Sequence, residues 1–318
     1  MKNNTVSSRV ISNINQQRIF IMLIGVSVLF SILIPRFIST ENIINILSYT
    51  SLEGIILIGM TYLIIIGEID LSIGAIMSIS GTFAVLFQKY GVIAGISMGL
   101  AVGIIIGLVN GLIVVKCHVD SMPATLGVMV LVNSLVYVLT GSTSIWGSNS
   151  KFALIANVSI LGIPIVVFLL ILLVILFDLI LRKTRFGRNI YAIGGNIHAA
   201  KYAGIKTDRV RIISFMLTGL LAGLAGVLVV SKYNVASGLI GSNTALMVIT
   251  AVLLGGVSLS GGDGSVIKSF IGLLLVSVLS IGMQFLKFPV SVQPMVVGGV
   301  LIASLALEAM DRQREQYK

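Results

Sequence analysis

The sequence predicts an all-α fold: a polytopic membrane helix bundle of about ten segments, some broken or re-entrant, with both termini cytoplasmic. Three observations predict it. Hydrophobic residues make up 57% of the chain and mean hydropathy is +1.10. Only 10% of residues are charged, against roughly 25% in an ordinary soluble domain. Apolar runs approaching the ~20 residues that cross hydrocarbon as a helix recur from end to end, and the basic residues collect between them, where Lys and Arg set orientation.

Taken in order, the runs lie near 19–35, 43–67, 71–88, 91–115, 123–140, 160–181, 210–231, 245–260, 264–288 and 290–309. A polar, basic tail (1–18) precedes them and a second tail (310–318) follows, which leaves 19–309 as one transmembrane domain. The first run lacks a small-residue cleavage site and reads as a retained span, not a signal peptide. With the N-terminus inside, the connection 182–209 is cytoplasmic and carries Arg182, Lys183, Arg185, Arg188, Lys201, Lys206 and Arg209. Lys2, Arg9, Arg18, Arg312, Arg314 and Lys318 join them at the termini. The runs at 71–88, 123–140 and 245–260 are short and read as tilted, broken or re-entrant.

The net charge of +10 therefore reports topology. Its cations are not interleaved with aromatics on a polar surface, as nucleic-acid recognition requires, so membrane lipid is an expected partner and nucleic acid is not. Cys117 is the single cysteine. That excludes an internal disulfide or thiolate cluster, and the residue reads as a small buried or interfacial filler.

The stretch "LIIIGEIDLSIGAIM" (63–77) sets Glu68 and Asp70 between apolar runs. The topology puts them in a tight cytoplasmic turn, where water or backbone amides meet the carboxylates. Asp70 is expected to cap a helix beginning at Leu71, next to Ser72 of the same motif. Gly67 and Gly74 let the backbone turn and pack closely. "LGGVSLSGG" (254–262) echoes "IGEIDLSIG" (66–74): Gly67, Leu71, Ser72 and Gly74 align with Gly255, Leu259, Ser260 and Gly262. Ser258, another capping residue, stands in the place of Asp70, which favours capping over a role that needs charge. Paired Gly-interrupted segments in two halves of a chain point toward transport pathways built from repeats.

In the fourth run Gly95, Gly99, Gly103, Gly107 and Gly111 recur every four residues, and Gly219 and Gly223 repeat that spacing in the seventh. In a helix this makes a smooth face for close backbone approach, since lipid gives helices no hydrophobic drive to associate. Glu53, among apolar residues of the second run, and Asn133 in the fifth are the candidate pathway residues. An ionisable group in a span costs about 2.5–3.5 kcal/mol on insertion scales, so it faces the bundle interior or water. A structural hydrogen bond is the alternative for both. Asn110 is expected to bond a neighbouring helix. Asp178 and Arg182, four apart, share a helix face as a local pair, and Trp146 and Tyr137 suit an interfacial belt.

The usual constellations of an enzyme fail. His118 and His198 are in connections outside any H-E-x-x-H, so neither metal nor zinc-protease chemistry is expected, and no G-x-S-x-G occurs. "GGDGSVIKS" (261–269) approaches a phosphate-binding loop, but Ile267 replaces the glycine that must precede the lysine. Any ATP must be bound by another subunit. In the long connection, "NIHAAKYAGI" (196–205) reads as a short surface helix with Ala199, Ala200 and Ala203 allowing close docking, ended by Gly204.

"GEIDLSIGAIMSISG", "ATLGVMVLVNSLVYVLTG", "TRFGRNIYAIGGNIHAAKYAGI" and "AVLLGGVSLSGGDGSVIKSFIG" stand in an order and spacing that resemble the permease subunit of bacterial ABC importers of the ribose and simple-sugar branch, over roughly 40–310. The resemblance implies a multi-pass subunit of the bacterial cytoplasmic (inner) membrane that is not itself an enzyme. It pairs with a second permease, identical or paralogous, on two cytoplasmic ATPase subunits or one fused ATPase. ATP and magnesium sit on the ATPase and no cofactor on this chain. An extracytoplasmic binding protein delivers the solute, a monosaccharide or related sugar. Gly195, Asn196, Ala199, Ala200 and Gly204 inherit the coupling role toward the ATPase. The chain departs from the family at Ile197 and His198, at Ala245, Leu246 and Met247, and at Asp263. From the residues alone, a stand-alone ion-coupled transporter using Glu53, Glu68 or Asp70 is the alternative.

Overall fold

In hydrocarbon a helix satisfies its own backbone groups, and the apolar runs form helices accordingly. A computed structural model describes residues 5–289 and 291–316. The order is α1 (Thr5–Leu33), α2 (Thr40–Ile66), α3 (Ile73–Phe87), α4 (Val92–Lys116), α5 (Ser121–Thr140), β1 (Ile145–Trp146), α6 (Ser150–Asn157), β2 (Ser159–Ile160), β3 (Ile163–Pro164), α7 (Ile165–Lys183), α8 (Arg185–Gly195), α9 (Ile197–Tyr202), α10 (Thr207–Tyr233), β4 (Val235–Ala236), α11 (Thr244–Leu254), α12 (Val266–Phe285) and α13 (Val292–Gln316). Among the described residues six helices, α2, α4, α5, α7, α10 and α12, are long and apolar enough to cross a membrane. The apolar part of α1 (19–33), α11 and the 292–303 part of α13 are shorter, and α3 has 15 residues.

Two helices form the centre. α2 and α10 pack on each other, with α3 and α4 against α10 on one side and α11, α12 and α7 around α2 on the other. α5 covers α3 and α4, α1 lies on α12, and α13 lies on α11. The glycine ridge of α4 faces α3 and α10. A Cβ on Gly95 would stand 2.8 Å from the Ala84 carbonyl oxygen, one on Gly103 2.4 Å from that of Gly219, and one on Gly107 2.4 Å from that of Phe215. Gly219 answers with a Cβ position 2.3 Å from the Gly103 oxygen, and Gly223 and Gly111 continue the contact along the pair. Dispersion between touching backbones, absent in lipid-facing helices, holds this crossing together.

Several expectations are corrected. The connection 182–209 holds the short helix expected within 196–205, as α9 capped by Asn196 through the Ala199 N–H, and also a helix not expected there, α8, capped by Thr184 through the Gly187 N–H, so only short links remain. α3 starts at Ile73 rather than Leu71, with Ser72 at the N-cap position, so Asp70 caps no helix directly. α11 stops at Leu254 because Gly255 and Gly256 follow, the latter with φ of +80°. α12 begins at Val266, capped by Ser265, so Ser258 caps no helix either. Cys117 is exposed at the end of α4, which removes the buried alternative of its two expected placements. The terminal cations Lys2, Arg9, Arg18, Arg312, Arg314 and Lys318 lie outside the residues whose side chains are described.

Candidate coupling junction and pathway residues

One end of the bundle gathers the ends of α2, α4, α7 and α11 and the starts of α3, α5, α10 and α12. α2 stops at Gly67, whose φ of +91° suits a residue without a Cβ; the N–H groups of Gly67 and Glu68 return to the Ile64 and Leu63 carbonyls. The next backbone donors are met by hydroxyls of α5's first turns: Ile69 N–H donates to Ser121 Oγ at 3.1 Å and Leu71 N–H to Thr125 Oγ1 at 3.0 Å. Gly74 then lies on Gly241, with a Cβ position 2.0 Å from the Gly241 oxygen, so α3 enters against the segment before α11.

Asp70 is fully buried and Glu68 is 8% exposed, so of the two expected partners, water or backbone amides, water is set aside, and a backbone amide, that of Ser72, meets Asp70 alone. Protein groups take the place of water. Asp70 Oδ1 accepts the Ser72 N–H at 2.8 Å and the Ser72 hydroxyl at 2.6 Å, and Asn110 Nδ2 donates to Asp70 Oδ2 at 3.1 Å and to Ser72 Oγ at 2.8 Å. Burial pushes the Asp70 carboxyl above the usual carboxylate range, against the downward pull of the Ser72 and Asn110 bonds. Glu68 Oε1 accepts from Arg211 of α10, through Nε at 2.9 Å and through Nη2. In the echo, Ser258 Oγ accepts the Ser260 N–H at 3.2 Å, the same two-residue turn that Asp70 closes on Ser72.

The echo and the first motif meet. Gly262 N–H donates to the Ile65 carbonyl at 2.8 Å, tying the 255–265 connection to the last turn of α2. α8 lies across both: a Cβ on Gly194 would stand 1.8 Å from the Ile65 oxygen and 2.5 Å from Gly262 N, and Tyr191 Oη donates to the Gly264 carbonyl at 2.7 Å. Burial raises the Tyr191 phenol above its ordinary range. Beyond this contact α9 stands out. Ala200 is buried beneath it, while Gly195, Asn196, Ala199 and Gly204 are exposed and Tyr202 is 93% exposed. Gly204, at φ +81°, turns the chain into α10.

The Asp178–Arg182 pair forms at 2.7 Å, and it does more than join neighbours on α7. Asp178 Oδ1 accepts from Ser265 Oγ at 3.2 Å and from Ile267 N–H at 3.4 Å, and Arg182 Nη2 donates to Ser265 Oγ at 2.9 Å. The pair fastens the start of α12 to α7. A cavity of about 640 Å3 opens at the same end, bordered by Glu68, Arg211, His118, Asp120, Ser121 and Leu259.

The two pathway candidates are apart. Glu53 is half-buried on α2, where Thr244 Oγ1 of α11 donates to Oε1 at 3.3 Å and Oε2 is buried without a hydrogen-bond partner among the described residues. One turn earlier Tyr49 donates to Met247 Sδ at 3.8 Å, a second link between the same helices. Asn133 is half-buried on α5, which packs on α3 and α4. Trp146 is exposed in β1, which pairs with β4. The sequence reading missed Arg211, Thr244 and Tyr49. A signal existed for Arg211, a cation at the edge of an apolar run facing an acidic turn; none marked Thr244.

Fold and junction define a class: a helical membrane bundle with a folded connector held against one end. The particular family follows from comparison, since residues 42–305 match the family described as branched-chain amino acid transport system / permease component, and the chain belongs to it. It is 37% identical over 293 residues to the ribose import permease protein RbsC of Bacillus subtilis, 91% of each chain. The L-arabinose ABC transporter permease protein AraH of Azospirillum brasilense is 31% identical over 305 residues, 95% of this chain and 90% of that protein. The ribose import permease protein RbsC of Escherichia coli is 33% identical over 293 residues, 90% and 91% of the two chains. No solved structure matches the chain.

Proposed function

We propose that this chain forms the translocation pathway of an ATP-driven importer for a monosaccharide or related polar solute. The observation that carries the reading is its likeness, over nine-tenths of both chains, to permeases named for ribose and L-arabinose import. In this reading α1–α5, α7 and α10–α13 are the ten membrane segments, both termini are cytoplasmic, and the membrane is the bacterial cytoplasmic one. A second permease, two ATPase subunits or one fused ATPase carrying ATP and magnesium, and an extracytoplasmic binding protein complete the assembly.

α9 docks on the ATPase through its exposed face. Movement there passes through the Gly194 contact to α2 and to the 255–265 connection, and through Glu68–Arg211 and Asp70–Asn110 to α10, α3 and α4. Glu53 and Asn133 line the pathway. The ion-coupled alternative loses two of its three acids, since Glu68 and Asp70 have internal partners.

The test is uptake in proteoliposomes holding the permease, its genomically adjacent ATPase and its binding protein. Ribose or arabinose uptake that requires ATP and both partners is expected. Uptake that persists without the ATPase and collapses with an ion gradient overturns the reading.

A further inference from the structure

Between α8 and the start of α10 lies a groove of about 430 Å3, with Phe186 and Asn189 on one wall and Lys206, Arg209, Val210 and Ile213 on the other. Lys206 and Arg209 are exposed, and neither forms an ion pair with a described residue. No acid among the described residues lines the groove. The neighbouring acid, Asp208, is engaged elsewhere, with Lys116 Nζ at 2.8 Å from its carboxylate. Two cations without an ion-pair partner among the described residues, beside the apolar side chains of Phe186 and Ile213, call for an anion joined to a hydrocarbon.

Position selects which anion. Lys206 immediately precedes α10 and Arg209 lies in its first turn, so both cations stand where the apolar body of a spanning helix begins. Residues 206, 209 and 213 fall on one face at intervals of three and four. Ile213, exposed at 41%, lies about 6 Å deeper along the axis than Arg209. Charge at headgroup depth followed by the exposed Ile213 one turn deeper, with the half-buried Phe186 ring across the groove, matches a phospholipid; a soluble anion would have no use for Ile213.

We propose that this groove binds one anionic phospholipid, its phosphate held between Lys206 and Arg209 with the Asn189 amide as a further donor, and the start of an acyl chain on Phe186 and Ile213. Arg209 offers the planar fork that suits phosphate oxygens, and Lys206 a flexible point charge. Basic pockets between helices at the cytoplasmic surface recognise such headgroups. The lipid bridges α8 to α10 directly beside α9, so it braces the connector against the span. The assignment rests on the proposed topology only for which leaflet supplies the lipid.

The test uses the purified full-length chain and native mass spectrometry with phosphatidylglycerol and phosphatidylcholine, read as adducts retained. Wild-type protein should retain phosphatidylglycerol preferentially, and Lys206→Gln/Arg209→Gln should lower that retention by roughly tenfold without changing phosphatidylcholine. The charge-retaining Lys206→Arg/Arg209→Lys should keep it. Loss in both variants, or in neither, overturns the proposal. Displacement of the lipid by inorganic phosphate alone assigns the groove to a soluble anion and overturns it too. So does unchanged lipid retention with lost ATPase co-purification, which gives the cations to the subunit contact instead.

Discussion

Asn110 Nδ2 lies 3.1 Å from Asp70 Oδ2 and 2.8 Å from Ser72 Oγ, so one amide on α4 closes the polar turn that leads into α3. The contact exists because α4 is ridged with glycine and comes close enough for a short side chain to reach. Asp70→Leu removes the acceptor of three donors, and each buried donor left unpaired costs about 1–3 kcal/mol; loss of assembled protein on size-exclusion chromatography is expected. Asp70→Ser keeps the two-residue turn, as Ser258 does in the echo, and loses the Asn110 bond. It should retain substantial transport with a lower melting midpoint. Equal loss in both variants would mean that the charge itself is needed.

Glu68 and Arg211 join the end of α2 to the first turns of α10 with both side chains mostly buried. A double-mutant cycle with Glu68→Gln and Arg211→Gln should give a coupling of about 1–3 kcal/mol in thermal or denaturant unfolding. Additive single effects would remove the pair from the coupling route.

Two adjacent glycines of the connector should behave oppositely. Gly194→Ala drives a methyl group into the Ile65 carbonyl, whereas Gly195→Ala meets nothing within 4 Å. In the assembled transporter, binding-protein-stimulated ATP hydrolysis should fall sharply in the first variant and persist in the second. If both retain stimulation, α8 does not carry the signal.

The α4–α10 crossing makes a similar contrast. Gly107→Ala overpacks against the Phe215 carbonyl and should destabilise by about 1–3 kcal/mol. Gly127→Ala, on α5 with open space around it, should be neutral or stabilise by up to about 1 kcal/mol through helix propensity. Melting midpoints of the two variants in one detergent decide this.

Glu53→Gln keeps the shape of the side chain and its bond from Thr244. Because Oε2 is the atom left for a substrate hydroxyl, reduced uptake with an altered solute preference is expected. Unchanged rate and preference would leave Glu53 as a tie between α2 and α11.

Helical class, membrane character and the stations of most apolar helices were legible because composition and run length are local properties that the bilayer enforces. A glycine at every fourth residue of α4 is visible as spacing, but that Gly219 and the Phe215 carbonyl are what it meets is a tertiary fact. The turn at 67–72 was visible as a break in hydropathy. The Ser72 amide on Asp70 was within reach of that reading, but the other groups that stand in for water, Ser121, Thr125, Asn110 and Arg211, come from three other helices and leave no local signal.

By itself the sequence determined that this chain is a membrane helix bundle with a basic connector and two glycine turns of similar sequence. Each follows from residue type and interval, which fix hydropathy and backbone freedom. Only the tertiary structure decided that the two turns and the connector share one junction, through Gly262 N–H on the Ile65 carbonyl and Gly194 against both. Backbone contacts between residues this far apart leave no periodicity to read; they depend on where whole helices settle, and glycine there marks only that something comes close.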